Sequence, residues 1–84
     1  MTPPQITFTR HAKEMLIERR LDRAWIELTI TQPDTVEPDP NRPNVLRAYR
    51  RIPQRGGLWL RVVYERVGNK ARVVTAFFDR ARRR

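Results

Sequence analysis

The sequence lacks residue types on which whole classes of protein depend. It contains no cysteine, which excludes disulfide bonds and thiolate zinc sites. It contains no serine, which excludes a serine nucleophile, and its single histidine argues against a zinc site built from protein side chains. Its three glycines form no phosphate-binding loop pattern. We therefore expect neither a metal nor a cofactor.

Long hydrophobic runs are also missing. No apolar segment approaches the roughly 18 residues of a membrane-spanning helix, and the N-terminus lacks the pattern of a signal peptide. The chain has 84 residues, of which 39% are hydrophobic, which is enough for one thin core. These features predict a single domain over residues 1–84 in a cytoplasmic protein that has no membrane partner.

Acidic residues are scarce in the second half of the chain. Residues 1–44 contain six basic and seven acidic side chains, a net charge of −1, whereas residues 45–84 contain twelve and two, a net charge of +10. Sixteen of the eighteen basic residues are arginine, whose planar guanidinium binds phosphate bidentately and stacks on bases. The charge predicts a polyanionic partner, with RNA as the first candidate. A coding bias toward arginine is the alternative explanation.

Two helices are predicted in the first part of the chain. Residues 1–6 contain two prolines and form an extended lead-in. A helix follows Thr9, because apolar residues recur there at helical spacing, namely Ala12, Met15 and Leu16. The second helix runs from Arg23 to Thr31 with Asp22 as its N-cap.

The remaining chain alternates between apolar and polar residues, as strands do. Strands are predicted at Thr35–Glu37, Val45–Ile52, Leu58–Val67 and Ala71–Phe78, followed by a basic tail over residues 79–84. Short connections favour antiparallel neighbours. The predicted fold is α+β, with two N-terminal helices packed on one side of a three- to four-stranded antiparallel meander sheet.

Several short segments follow one another in a distinctive order: Phe8–Ala12, Arg19, Leu21–Asp22, Pro33–Glu37, Leu60–Glu65 and Val73–Phe77. In this order and spacing they resemble the family called domain of unknown function DUF4258, from about Thr7 to Arg80. Such domains resemble RelE-like and BrnT-like toxins and other small microbial ribonucleases. The resemblance implies helices followed by a curved antiparallel sheet whose concave face holds RNA. Two positions depart from the expected pattern: Met15 stands where arginine is expected, and Arg20 where glycine is expected.

The resemblance implies a RelE-like toxin that acts as a metal-independent RNA endonuclease of a toxin–antitoxin pair. Its partners would be RNA, free or ribosome-associated, and an acidic antitoxin protein that covers the basic half of the chain. A second hypothesis, from a different class, is a non-catalytic nucleic-acid-binding or regulatory module on the same fold. The single histidine favours the module, and the concentration of arginines favours the toxin.

Metal-free RNA cleavage needs a general acid and base together with fixed positive charge. Histidine exchanges protons near neutral pH, so His11 is the candidate acid or base, and Arg51 and Arg61 are the candidate charges. The alternative for His11 is a structural role, such as capping its helix. The alternative for Arg61 is an ion pair with Glu65.

Further residues are candidates for binding RNA. Strand alternation places Arg47, Tyr49 and Arg51 on one face, where they suit a phosphate clamp and base stacking. Residues 80–84 form a flexible electrostatic arm, whereas Tyr64 is assigned to the core. The predicted nucleic-acid-binding residues are Arg19, Arg47, Tyr49, Arg50, Thr75 and Arg80.

Overall fold

A computed structural model describes residues 4–82 of the chain. Two α-helices and five β-strands follow one another, with a single turn of 3₁₀ helix at Pro53–Arg55. The elements are β1 (Gln5–Phe8), α1 (Arg10–Glu18), α2 (Arg23–Thr31), β2 (Thr35–Pro38), β3 (Val45–Ile52), β4 (Leu58–Val67) and β5 (Lys70–Phe78). Both predicted helices and all four predicted strands are confirmed.

The strands form one mixed sheet in the order β1-β5-β4-β3-β2. Pairs β2–β3, β3–β4 and β4–β5 are antiparallel, as predicted, but β1 pairs with β5 in parallel. The prediction of a purely antiparallel meander with three or four strands is therefore wrong. Residues 5 and 6 of the expected lead-in belong to β1, and residues 1–3 lie outside the described part of the chain.

The parallel edge has a simple physical origin. Ile6 and Phe8 pack against the core, so β1 is held by its apolar side chains as well as by its pairing with Lys70–Val73. A parallel neighbour requires a long connection, and here the two helices and three strands supply it. A four-residue strand beside two prolines gives little signal in the sequence.

Side-chain caps fix the ends of both helices. The Thr9 hydroxyl accepts a hydrogen bond from the Ala12 backbone N–H at 3.1 Å, and Asp22 accepts one from Ala24 at 2.9 Å, which confirms Asp22 as the N-cap. At the end of α1, Arg20 adopts the left-handed conformation with φ of 52°. The Leu21 backbone N–H then reaches the Leu16 carbonyl at 3.0 Å, which closes a Schellman motif.

The core lies between the helices and one face of the sheet. Tyr64 belongs to it, as predicted, and its buried members are Ala12, Leu21, Ile26, Ile30, Ala48, Ile52, Leu60, Val62, Tyr64, Ala71, Val73 and Ala76. Alternation along the strands sends the intervening residues to the opposite side, which we call the far face of the sheet. Neither of the two described helices is long and apolar enough to cross a membrane.

Candidate nucleic-acid interface

Side chains of the far face lie in rows that run across the strands. Because the strands are paired residue to residue, each row is set by the register. The central row consists of Thr35, Tyr49, Arg61 and Phe77. On one side of it Arg51 lies opposite Trp59, and on the other side lie Glu37, Arg47, Val63 and Thr75. The rows therefore place arginines directly beside aromatic rings.

Arg61 occupies the middle of the central row, on the central strand of the sheet. Its guanidinium carbon is 5.9 Å from the centre of the Tyr49 ring and 5.2 Å from that of Phe77. Cations within about 6 Å of a ring centre are attracted by the ring, most strongly where water is excluded. The Arg61 side chain is only 23% exposed, so these contacts are partly shielded from solvent.

Three further arginines extend the same arrangement. Arg82 lies 4.0 Å from the Tyr49 ring centre and 5.3 Å from that of Trp59. Arg51 lies 5.0 Å from the Trp59 centre, and Arg19 lies 5.7 Å from that of Phe77. Four arginines thus alternate with three rings, and we call this set the arginine–aromatic ladder. Its order is Arg51, Trp59, Arg82, Tyr49, Arg61, Phe77 and Arg19.

The chain segment after β5 completes the ladder. The Asp79 backbone N–H donates to the Trp59 carbonyl at 2.8 Å, and the Asp79 carboxylate accepts from Ala81 at 3.1 Å. This turn brings Arg82 back over the sheet, where it donates to Glu37 at 3.4 Å. The predicted flexible arm is therefore folded as far as Arg82, while Arg80 is exposed. Arg83 and Arg84 lie outside the described residues.

Each carboxylate of this region forms an ion pair with an arginine. Arg61 pairs with Asp79 at 3.9 Å, and Glu65 pairs with Arg72 at 3.9 Å, so the predicted alternative pair between Arg61 and Glu65 is not formed. Glu37 is engaged by Arg82. No group of three histidine, aspartate or glutamate side chains within residues 4–82 is placed to hold a metal ion.

Asp39 anchors the turn before β3. Its carboxylate accepts from the backbone N–H groups of Asn41 and Arg42 at 2.9 and 3.1 Å, and from the guanidinium groups of Arg42 and Arg47 at 3.2 and 3.5 Å. The hydrogen bond from the Asn41 backbone is the main cause that lowers the pKa of Asp39 below its ordinary value, and Arg42 lowers it further. Arg47, predicted to bind RNA, is thus held beside the ladder by this carboxylate.

Four buried nitrogen atoms of the far face have no hydrogen-bond acceptor within the described part of the chain. They are Arg47 Nε, Trp59 Nε1, Arg61 Nε and Arg82 Nε. All four are donors. Buried polar atoms are nearly always paired in proteins, so each such atom calls for an explanation.

The structure gathers some of the predicted site residues and separates others. Arg51 and Arg61 are diagonal neighbours on the far face, and Arg19 and Tyr49 join them in the ladder. His11 lies on α1, on the core side of the sheet, about 12 Å along the helix axis from Arg19. Its side chain is exposed and forms no hydrogen bond with another described residue. The predicted catalytic set of His11, Arg51 and Arg61 is therefore not assembled.

Two further predicted binding residues are not members of the ladder. Arg50 projects to the core side and donates to the Gln32 carbonyl at the end of α2, so it caps that helix. Thr75 lies half-buried on the far face opposite Val63.

Three ladder members were not predicted from the sequence. Trp59 and Phe77 share the strand parity of Arg61 and Thr75, so alternation alone would have placed them on the far face. Arg82 gives no such signal, because it follows the last strand. Its position depends on the Asp79 turn.

Comparison with known families and proteins gives one match. The family model described as domain of unknown function (DUF4258) matches residues 8–78. No curated protein and no solved structure matches the chain.

Proposed function

The chain belongs to the DUF4258 family, and for this member we propose that the arginine–aromatic ladder binds single-stranded RNA. The observation that carries the proposal is the alternation of four guanidinium groups with three rings on the far face. Proteins that hold single strands combine positive charge along the backbone with planar groups on which bases stack. The guanidinium groups of the ladder supply both the charge and the planes, whereas the Tyr49 and Trp59 rings beneath them are only 3% and 9% exposed.

The ligand class follows from the shape and charge of the surface. Bases stack on planar groups only when they are unpaired, so a row of guanidinium planes suits a single strand better than a duplex. The strands and turns that carry most of the ladder belong to the half of the chain with a net charge of +10. That surplus attracts the phosphate backbone and makes the affinity depend on salt.

RNA cleavage is the second candidate, and one observation favours it. The Glu37 carboxylate lies 3.4 Å from Arg82 on the far face, which sets a proton acceptor beside fixed positive charge. In this narrower proposal the protein is a RelE-like or BrnT-like toxin, and an acidic antitoxin covers the ladder. The position of His11 weighs against the catalytic set expected from the sequence, so binding is our conclusion.

The test measures fluorescence anisotropy of a labelled oligouridylate with wild type and two variants. Arg61→Ala removes a guanidinium from the centre of the ladder and lowers affinity by roughly 5- to 150-fold, the range for losing one stacking contact. Arg10→Ala is the matched control, because it removes the same charge from a side chain that is 94% exposed at the start of α1. The affinity of this control variant for oligouridylate falls by less than about threefold.

Salt and duplex competition complete the test. Affinity of the wild type falls steeply as salt rises, since arginine–phosphate contacts release counterions. A duplex of matched sequence competes poorly. Equal losses in Arg61→Ala and Arg10→Ala would show that charge alone, and not the ladder, accounts for binding. Absence of binding at low salt would reject the proposal outright.

A further inference from the structure

One side chain from outside the sheet covers two rings of the ladder. The Arg82 guanidinium carbon lies 4.0 Å from the centre of the Tyr49 ring and 5.3 Å from that of Trp59. The other guanidinium groups on these rings, those of Arg61 and Arg51, belong to strands and are held by the sheet. Arg82 follows the last strand, so it can leave the rings without disturbing the pairing of the strands.

The segment that carries Arg82, residues 79–82, is attached to the sheet at its two ends. At the first end the Asp79 backbone N–H donates to the Trp59 carbonyl at 2.8 Å. A hydrogen bond from the Ala81 backbone N–H to the Asp79 carboxylate, at 3.1 Å, shapes the turn that follows. At the other end the attachment is the Arg82 side chain, and the two residues between the ends are exposed. Beyond Asp79 and its turn, one side chain therefore holds the segment on the sheet.

The contacts of that side chain are weak ones. Arg82 donates to Glu37 through Nη1 at 3.4 Å, and the two side chains are 25% and 43% exposed, a setting in which an ion pair contributes little. Its Nε and the Nε1 of Trp59 are buried without an acceptor within residues 4–82. These unpaired donors offset part of the attraction between the guanidinium and the rings. Water accepts from both atoms once the guanidinium leaves, so the covered and uncovered arrangements are close in free energy.

A single RNA strand carries the two kinds of group that replace these contacts. Its phosphates compete with the Glu37 carboxylate for the Arg82 guanidinium, because charge-assisted hydrogen bonds to phosphate are among the strongest that arginine forms. Its unpaired bases stack on aromatic rings. An acidic protein segment supplies carboxylates but no base to cover the rings after Arg82 has left.

We propose that residues 79–82 are a strap that closes a base-stacking site in the free protein. Arg82 lies over Tyr49 and Trp59 until RNA binds. It then separates from Glu37, and one unpaired base takes its place on the rings. The inference rests on the proposed function and adds to it a site for one base, which the strap keeps closed in the absence of RNA.

The first test loosens the strap without removing a cation or a ring. Glu37→Gln removes the ion pair that holds Arg82. Glu65→Gln is the matched control, because it removes the same charge from another carboxylate of the far face, one that is paired with Arg72 at 3.9 Å. Glu37→Gln raises the affinity for labelled oligouridylate by roughly 2- to 5-fold more than Glu65→Gln does, the range for one partly exposed ion pair.

The second test follows the Trp59 ring by fluorescence. The chain has two tryptophans, so in a Trp25→Phe background the emission reports on Trp59 alone. Without RNA, acrylamide quenches Trp59 more strongly in Glu37→Gln than in Glu65→Gln, because the ring is uncovered for more of the time. Oligouridylate at saturation quenches the Trp59 emission, since a base then stacks on the indole. An abasic strand of the same length, which offers phosphates without bases, does not quench it.

A third pair of variants tests the strap without changing Glu37. Arg82→Ala and Arg80→Ala each remove one positive charge, and Arg82→Ala also uncovers the rings, whereas Arg80 is exposed. Arg82→Ala therefore binds oligouridylate at least as tightly as Arg80→Ala. A loss of affinity that is larger in Arg82→Ala by roughly threefold or more, beyond the range for an exposed charge, would show that this guanidinium itself holds the RNA and would overturn the strap.

The failure of the strap and the failure of the proposed function give different results. Oligouridylate that binds by anisotropy without quenching the Trp59 emission would overturn the strap and leave the proposed function standing. Equal quenching by acrylamide in Glu37→Gln and Glu65→Gln would do the same. Absence of oligouridylate binding at low salt would overturn the proposed function and the inference with it.

Discussion

The guanidinium carbon of Arg82 lies 4.0 Å from the centre of the Tyr49 ring, so the end of the described chain packs on the middle of the sheet. The contact is reinforced by the ion pair between Arg82 and Glu37 at 3.4 Å. Arg82, a residue of the basic tail, therefore lies on the far face of the sheet. It also covers Trp59, the second ring that Arg82 touches.

Removing Arg82 exposes the rings beneath it. In a Trp25→Phe background the fluorescence reports on Trp59 alone, and Arg82→Ala makes that residue more accessible to acrylamide. We expect a higher quenching constant and a red-shifted emission maximum, because water replaces the guanidinium. Arg80→Ala is the matched control, since it removes the same charge from an exposed neighbour. Equal quenching in the two variants would mean that Arg82 does not cover the ring in solution.

Arg20 is the residue best suited to a stabilising substitution. It occupies the left-handed position of the Schellman motif with φ of 52°, where glycine has no Cβ to clash. The left-handed conformation costs an ordinary residue roughly 1–2 kcal/mol, and the added freedom of glycine in the unfolded chain offsets part of that. Arg20→Gly therefore stabilises the fold by about 0.5–1 kcal/mol, or roughly 2–8 °C in Tm.

A second substitution separates conformation from charge. Arg20→Ala removes the same charge but keeps a Cβ, so its melting temperature stays near that of the wild type. If Arg20→Ala gains as much as Arg20→Gly in thermal unfolding followed by circular dichroism, relief of charge repulsion, not backbone strain, explains the effect. The glycine expected here from the DUF4258 resemblance agrees with the conformation that the structure has.

The sequence predicts the elements that have a repeating pattern of apolar residues. It does not predict the elements whose position depends on one tertiary contact. Alternation fixed β3 and β4 to the residue and placed Arg47, Tyr49 and Arg51 on one face. The four residues of β1 were missed, because a short strand at the sheet edge depends on pairing with the far end of the chain. Only part of the ladder is predicted from the sequence, because the contacts between strands depend on the register and the position of Arg82 depends on the Asp79 turn. His11 is a candidate because of the chemistry of its side chain, and a residue type does not indicate where in the fold that side chain lies.

Asp39 makes the stability of the fold depend on pH in the acid range. Its pKa is lower in the folded protein than in the unfolded chain, chiefly because of the hydrogen bond from the Asn41 backbone. The unfolded state therefore takes up a proton first as the pH falls. Stability from this carboxylate is complete above about pH 4, the ordinary value for aspartate, and is lost as the pH falls through the folded pKa.

The Asp39→Asn variant isolates that contribution. Asparagine keeps one oxygen for the backbone N–H groups of Asn41 and Arg42 but cannot ionise. In urea unfolding, the variant is less stable than the wild type at pH 6, and the difference narrows toward pH 3. A difference that stays constant over this range would show that the charge of Asp39 contributes nothing and that the turn depends on shape alone.

The cleavage candidate predicts different effects of substituting Glu37, Arg61 and His11 on the rate of RNA cleavage. If the ladder face cleaves RNA, Glu37→Gln removes the proton acceptor and lowers the rate by roughly 100- to 10,000-fold while RNA still binds. Arg61→Ala lowers the rate by a similar 100- to 1000-fold, the range for losing one contact to developing negative charge, but preserves the shape of the pH–rate profile, because arginine stays charged throughout. Because the two rate losses overlap, their size cannot show which residue transfers a proton, whereas the pH–rate profile can.

His11→Ala decides between the catalytic set expected from the sequence and the one that the far face offers. Because His11 lies on α1, away from Arg61, we expect its replacement to leave both the rate and the pH–rate profile unchanged. The measurement is release of cyclic-phosphate product from a labelled oligoribonucleotide over a range of pH. Loss of a limb near neutral pH in His11→Ala would restore histidine as the acid or base. If the wild type binds the oligoribonucleotide yet releases no cyclic phosphate, the cleavage candidate fails and the protein is a binding module.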